Sequence, residues 1–181
     1  TAALIGQIVR SVADPDAVPL GAAMPDPALL PVGALKRSMV SALRREGSGG
    51  VAHVPPEGEE ALRREIAKRE WSAGHAAYHD EILVTCGASE ALDIALRATT
   101  SPGDIVAVES PTFFGVLQAI QSLGRRALEI RTSPEHGMDL DALASAVEAH
   151  PIRACVVTPN FQNPLGSRMP DEHKERLLRL L

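Results

Sequence analysis

From Ile82 onward, short runs of branched aliphatic residues alternate with segments of helical period, and few folds accept that alternation other than a largely parallel sheet with crossover helices. The candidate strands are residues 82–86, 105–109, 127–130 and 154–158. Between the first two, Ala88, Ala91, Leu92, Ala95, Leu96 and Thr99 follow the spacing of one helix face, and Val116, Leu117, Ile120 and Leu123 repeat the theme after the second. Asp139 is placed to cap a further helix reaching about Ala149, with Pro151 closing it. Aromatic residues make up only 3% of the chain, against 45% hydrophobic residues in all, so leucine, isoleucine, valine and alanine must build the core. Residues 171–181 read as another helix with Leu177, Leu178 and Leu181 on its apolar face. No stop signal follows them, so the chain is expected to be one part of a longer domain.

The stretch before Ile82 is organised differently. Residues 2–12 have the pattern of a short helix, and residues 14–31 carry Pro15, Pro19, Pro25, Pro27 and Pro31, which no regular helix tolerates, so an extended arm is expected. A helix over residues 33–46 should end at Gly47, Gly49 and Gly50. Residues 57–71 place Ala61, Leu62, Ile66 and Ala67 on one side with charges elsewhere, the pattern of a surface helix.

A net charge of −5 and a pI of about 5.7 argue against nucleic-acid contact by this segment, because such domains carry a clustered basic excess. The apolar runs are too short to span a bilayer, so no membrane partner is expected. Cys86 and Cys155 both lie in apolar, strand-like runs, from which we expect buried free thiols in a reducing, cytoplasmic compartment.

Three strand ends carry groups suited to ligand chemistry. In Gly87-Ala88-Ser89-Glu90 a strand runs through a glycine straight into a helix, whose free N–H groups and partial positive charge suit a phosphate, with the Ser89 hydroxyl beside it. In Glu109-Ser110-Pro111-Thr112-Phe113-Phe114 an aromatic ring at a strand end can stack on a flat heteroaromatic, whereas Phe114 reads as core. In Thr158-Pro159-Asn160-Phe161-Gln162-Asn163-Pro164-Leu165-Gly166 a polar turn offers the Asn163 amide as a donor to an oxyanion or phenolate. Each motif alone is an ordinary turn; together they offer groups for different parts of one phosphorylated aromatic molecule.

In order and spacing, Gly87-Ala88-Ser89-Glu90-Ala91-Leu92, Pro102-Gly103-Asp104, Glu109-Ser110-Pro111-Thr112-Phe113 and Asn163-Pro164-Leu165-Gly166 resemble the fold-type I, class I/II aminotransferases. Within that group, residues 20–27 and 159–166 are most similar to the MocR branch of the GntR transcription factors. Those regulators join an amino-terminal winged helix to an aminotransferase-like effector domain. The resemblance implies an α/β fold, part of a mostly parallel large-domain sheet with helices on both faces. Residues 1–32 would form a helix and arm, and residues 33–181 the amino-terminal part of the cofactor domain. It implies pyridoxal 5'-phosphate as cofactor, with Ala88 and Ser89 holding its phosphate, Phe113 stacking on its ring, and Asn163 donating to its ring hydroxyl oxygen. It also implies a homodimer, an amino-acid-like effector or substrate, and DNA contact only through a winged-helix domain upstream of Thr1.

The sequence departs from the family at several points. Ala23 replaces a glycine of the arm, and Leu165 a threonine, which bears on substrate fit; His53 stands where many members have a tyrosine that reaches the partner subunit's phosphate, and as a loop histidine it is expected to be solvated. Lys36, Lys68 and Lys174 lie in charged helical patterns, none in the context of the family's Schiff-base lysine, so no catalytic residue is assigned and this segment alone is not expected to transaminate. His75 and His79 are read as loop histidines without a metal, and Arg44-Arg45 and Arg63-Arg64 as partners of neighbouring glutamates in solvated ion pairs.

Overall fold

The structure, a computed structural model, describes residues 25–181 together with Gly6. The expected first helix over residues 2–12, and the arm and family-like motif as far as residue 24, lie outside the described residues. The chain divides into two compact units, Thr1–Val54 and Pro55–Leu181.

In the first unit, Asp26 accepts the Ala28 N–H at 2.8 Å and starts a single 3-10 turn, Pro27–Leu29, so this part of the proline-rich stretch is not wholly extended. Helix α1, Val32–Glu46, begins straight after Pro31 and stops at Gly47, whose φ of 56° lies in the left-handed region that closes helices. It buries none of its residues.

The second unit holds the sheet. Helix α2, Glu60–Ser72, is a surface helix as expected, but it buries Ala67 and leaves Leu62 47% exposed. Among the described residues Arg63 has no ion-pair partner; it donates to the carbonyls of Gly58 (3.2 Å) and His79 (2.8 Å) and ties the helix to the segment that follows. Arg64 does pair with Glu60, and Arg45 with Glu46. Helix α3, Ala88–Thr99, is followed by strand β1, Ile105–Ser110, helix α4, Phe114–Ser122, and strand β2, Arg126–Ser133. A short return strand β3, Gly137–Met138, leads to helix α5, Leu140–Ala149, then strand β4, Ile152–Val156, and helix α6, Asp171–Leu180.

The sheet runs β3-β2-β1-β4, with β2, β1 and β4 parallel and β3 antiparallel to β2. Val106 and Val108 face one side, where Leu96 of α3, Val116 and Ile120 of α4, and Leu123 just after it complete a cluster. Ala107 and Ile130 face the other, against Met138, Leu140, Leu143, Met169 and Leu177. Helices therefore cover both faces, as an α/β sheet requires.

Three sequence expectations are corrected. Residues 82–86 form no strand: among the described residues nothing pairs with them along a ladder, and Val84 makes one backbone bond, to the carbonyl of Glu57 at 3.0 Å. Cys86, in that segment, is consequently exposed, and Cys155 is only partly buried. On α6, Leu177 is buried but Leu178 is 78% exposed, because the face that meets the sheet carries Leu177 and Leu180, three residues apart. No described helix is long and apolar enough to cross a membrane.

Candidate functional site

The carboxyl ends of β1 and β4 lie side by side, since Ala107 pairs with Cys155 and Val108 with Val156 in parallel register. The loop that carries Phe113 leaves β1 there, and the loop that carries Asn163 leaves β4. Helix α3 brings its amino terminus to the same end. Its last residues lie at the opposite end, where Arg125 donates to Thr100 Oγ1 (3.0 Å) and to the Thr100 carbonyl (2.7 Å), just before β2 begins. With its side packed on Val106 and Val108, α3 must run antiparallel to the strands.

Among the described residues no side chain caps that amino terminus. Gly87, with φ at 91°, turns the chain into the helix from a conformation a side chain would strain, and it offers no side chain to cap the first N–H groups. Glu90 folds back to accept the Cys86 N–H, and Thr85 Oγ1 donates to the Gly87 carbonyl at 3.1 Å, so the turn is braced from below while Ala88 and Ser89 stay exposed. Uncapped N–H groups with a neighbouring hydroxyl are suited to a phosphate.

Phe113 is 40% exposed, its ring tilted 48° to that of the half-buried Phe114 at a centroid distance of 4.6 Å. Gly115 passes directly beneath that ring. Asn163 is exposed and precedes Pro164; the Ser110–Pro111 and Asn163–Pro164 bonds are both cis. Phe161, 80% exposed, has a φ of 54°, unusual for a residue with a side chain.

The two loops are joined by side chains to which the sequence reading gave no role. Glu109, 1% exposed, accepts the Thr158 N–H at 3.0 Å through Oε2, and Gln162, 2% exposed, donates from Nε2 to the Pro111 carbonyl at 2.8 Å and reaches Glu109 Oε2 at 3.5 Å. Burial raises the Glu109 carboxyl above the usual carboxylate range, against the pull of those hydrogen bonds. The available signal was a carboxylate closing the apolar run Ile105-Val106-Ala107-Val108 with no basic residue beside it.

His75 Nδ1 lies 3.1 Å from Glu70 and His79 Nε2 3.8 Å from Glu60, so the two rings face different carboxylates. His53 and Lys36 are exposed, Lys68 pairs with Glu65, and Lys174 pairs with Asp171 at 2.8 Å.

An open, mostly parallel sheet with helices on both faces and polar loops beyond the strand ends defines an α/β domain, a class whose ligands gather at that end of the sheet. Residues 29–181 match the family described as aminotransferase class I and II, and the chain belongs to it. It is 40% identical over 98% of its length to the uncharacterized HTH-type transcriptional regulator YdcR of Escherichia coli, of which it covers 38%. It is 35% identical over 96% of its length to the uncharacterized HTH-type transcriptional regulator YjiR of the same organism, of which it covers 37%. The crystal structure of LysN, the alpha-aminoadipate aminotransferase of Thermus thermophilus in complex with N-(5'-phosphopyridoxyl)-L-leucine, superposes with a TM-score of 0.78 at 32% identity, covering 87% of this chain and 39% of LysN. The fold is thus part of the large-domain sheet of the fold-type I enzymes, and the chain spans less than half the length of these relatives.

Proposed function

We propose that this chain is part of the pyridoxal-phosphate-binding, aminotransferase-like effector domain of a MocR-type regulator of the GntR family. One observation carries the cofactor reading. An uncapped helix terminus at Ala88 and Ser89, an exposed aromatic ring at Phe113 and an exposed amide at Asn163 stand at one rim of a parallel sheet, and the loops of the last two are hydrogen-bonded together. These donors fit the group: backbone N–H groups and a hydroxyl for a phosphate, a flat ring for a pyridine, an amide N–H for a ring oxygen. When bound, pyridoxal 5'-phosphate supplies an electrophilic aldehyde able to capture amines. Ser89 and the first turn of α3 would hold its phosphate, Phe113 would stack on its ring, and Asn163 would donate to its ring hydroxyl oxygen.

The likeness to two HTH-type regulators favours a regulatory role over catalysis. In this reading residues 1–32 form a helix and arm, residues 33–181 begin the cofactor domain, and a winged helix upstream of Thr1 contacts DNA. The whole protein is a cytoplasmic homodimer answering an amino-acid-like effector. A second reading, a free-standing aminotransferase, is favoured by the 32% identity to LysN.

The test is the visible spectrum of the full-length protein expressed with pyridoxal phosphate, before and after borohydride. A reducible band that maps to one lysine beyond Leu181 supports the cofactor reading, and its absence defeats it. Retarded migration of the gene's own upstream DNA then separates regulator from enzyme.

A further inference from the structure

Gln162 uses every polar atom it has. Nε2 donates to the Pro111 carbonyl and Oε1 accepts the Leu165 N–H at 2.9 Å, while its main chain exchanges bonds with Ser167 and Gly166. Pro111 lies two residues before Phe113, and Leu165 two residues after Asn163. One buried amide thus spans the loops bearing the exposed ring and the exposed donor. Glu109 backs it from inside the sheet and, through Thr158, fixes where the second loop leaves its strand.

Packing alone does not call for such a pair, since an apolar side chain of similar volume would fill the space without burying an amide and a carboxylate. Among the described residues no cation acts on Glu109, and its Oε1 is buried without a partner. What a polar pair offers over an apolar one is direction, because hydrogen bonds hold two loops at a set distance and angle.

We propose that Gln162, anchored on Glu109, is the positioning residue of this site: it bonds Pro111 and Leu165 so that Phe113 and Asn163 engage one planar phosphorylated ring at the same time. The inference rests on the functional reading above and adds to it the residues that set the site's geometry.

The test uses the full-length protein, with pyridoxal 5'-phosphate as probe and three readouts: affinity, the pH midpoint of the bound cofactor's visible band, and thermal melting. Gln162→Met keeps the volume and removes the hydrogen bonds. It should weaken binding about tenfold, equivalent to one or two lost hydrogen bonds. It should also raise the pH midpoint, because a displaced Asn163 no longer favours the deprotonated ring oxygen. In an Asn163→Ala background the same substitution should add no further shift in midpoint, since both act on one contact. A lowered melting temperature with unchanged affinity and midpoint, or fully additive shifts, overturns the proposal.

Should Gln162→Met not fold, Glu109→Gln carries the test. It should bind about threefold more weakly, consistent with a charge-assisted bond replaced by a neutral one, without a lower melting temperature; unchanged binding overturns the proposal. If the unaltered protein binds no pyridoxal phosphate, the functional reading fails first and this inference with it. Normal binding by the unaltered protein and by both variants removes the positioning role alone.

Discussion

A methyl group on Gly115 would stand 2.3 Å from Cε1 of Phe113, closer than any two carbons tolerate without a bond. Glycine at the second position of α4 is therefore what lets the Phe113 ring lie where it does. Gly115→Ala must displace that ring, and because Phe113 is 40% exposed the ring has solvent to swing into. Stability should change by no more than about 1 kcal/mol, since Gly-to-Ala in a helix gains roughly what the displacement costs. If Phe113 stacks on the cofactor as proposed, affinity for pyridoxal phosphate should fall about tenfold, the loss of one stacking contact. Phe113→Ala should weaken binding comparably, and the double variant no further. Titration of the four proteins tests this, and an additive double variant would show that Gly115 acts elsewhere.

Glu109 gives stability an unusual dependence on pH. Burial holds its folded pKa above the ordinary value, so the folded chain binds this proton more tightly than the unfolded chain does. Its favourable contribution is full below the unfolded value of 4.5 and is lost as pH rises through the raised one. Glu109→Gln carries no charge and avoids that loss. Urea midpoints should therefore shift progressively in favour of the variant as pH rises above 4.5. A wild-type protein that gained on the variant with rising pH would contradict the burial argument.

How far the sequence foretold this fold depended on whether an element's partner was local. The spacing of Leu92 and Leu96, or of Val116 and Ile120, marks a helix face because the period lies within the segment itself. Asp139 announced the start of α5 because a cap is a contact between neighbours. Residues 82–86 had the composition of a strand, yet a strand exists only with a partner, and none is described for them. Strand β3 was missed because two residues, Gly137 and Met138, carry no period. Ser89, Phe113 and Asn163 are proposed as site residues because the chemistry of each lies within its own short segment at a strand end. The contact between Gln162 and Glu109 has no such local signal, because it joins side chains 53 residues apart in sequence.

The two thiols should separate cleanly. Burial, with the Glu109 charge adding to it, pushes Cys155 up to about 11, whereas Cys86 is exposed. At pH 8 only about 0.1% of Cys155 is then thiolate, the reactive form. Limiting amounts of an aromatic disulfide reagent should modify Cys86 first, and Cys155 only slowly until the protein is unfolded. Peptide mapping after brief labelling distinguishes the two, and equal labelling in the folded protein would mean that Cys155 is open to solvent.

The start of α5 supplies an acid-sensitive contact of opposite sign to Glu109. Asp139 accepts the N–H groups of Ala142 (3.0 Å) and Asp141 (3.1 Å) and pairs with Arg131 at 3.0 Å, and these partners, Ala142 first, hold its carboxyl below the usual range. With the folded pKa depressed, its stabilisation is present above the unfolded value of 3.8 and disappears as pH falls through the folded one. Asp139→Ala should cost about 1 kcal/mol at pH 7, as lost caps do. Arg131 is too exposed for its pairing to add much. Asp139→Asn should keep most of the cap, within a few tenths of a kcal/mol, yet lose the acid dependence, because its amide oxygen accepts the same N–H groups without titrating. Chemical denaturation of the three proteins between pH 2 and 7 should show the wild-type advantage over Asp139→Ala narrowing only at the acid end; a constant gap would assign the stabilisation to packing rather than to the carboxylate.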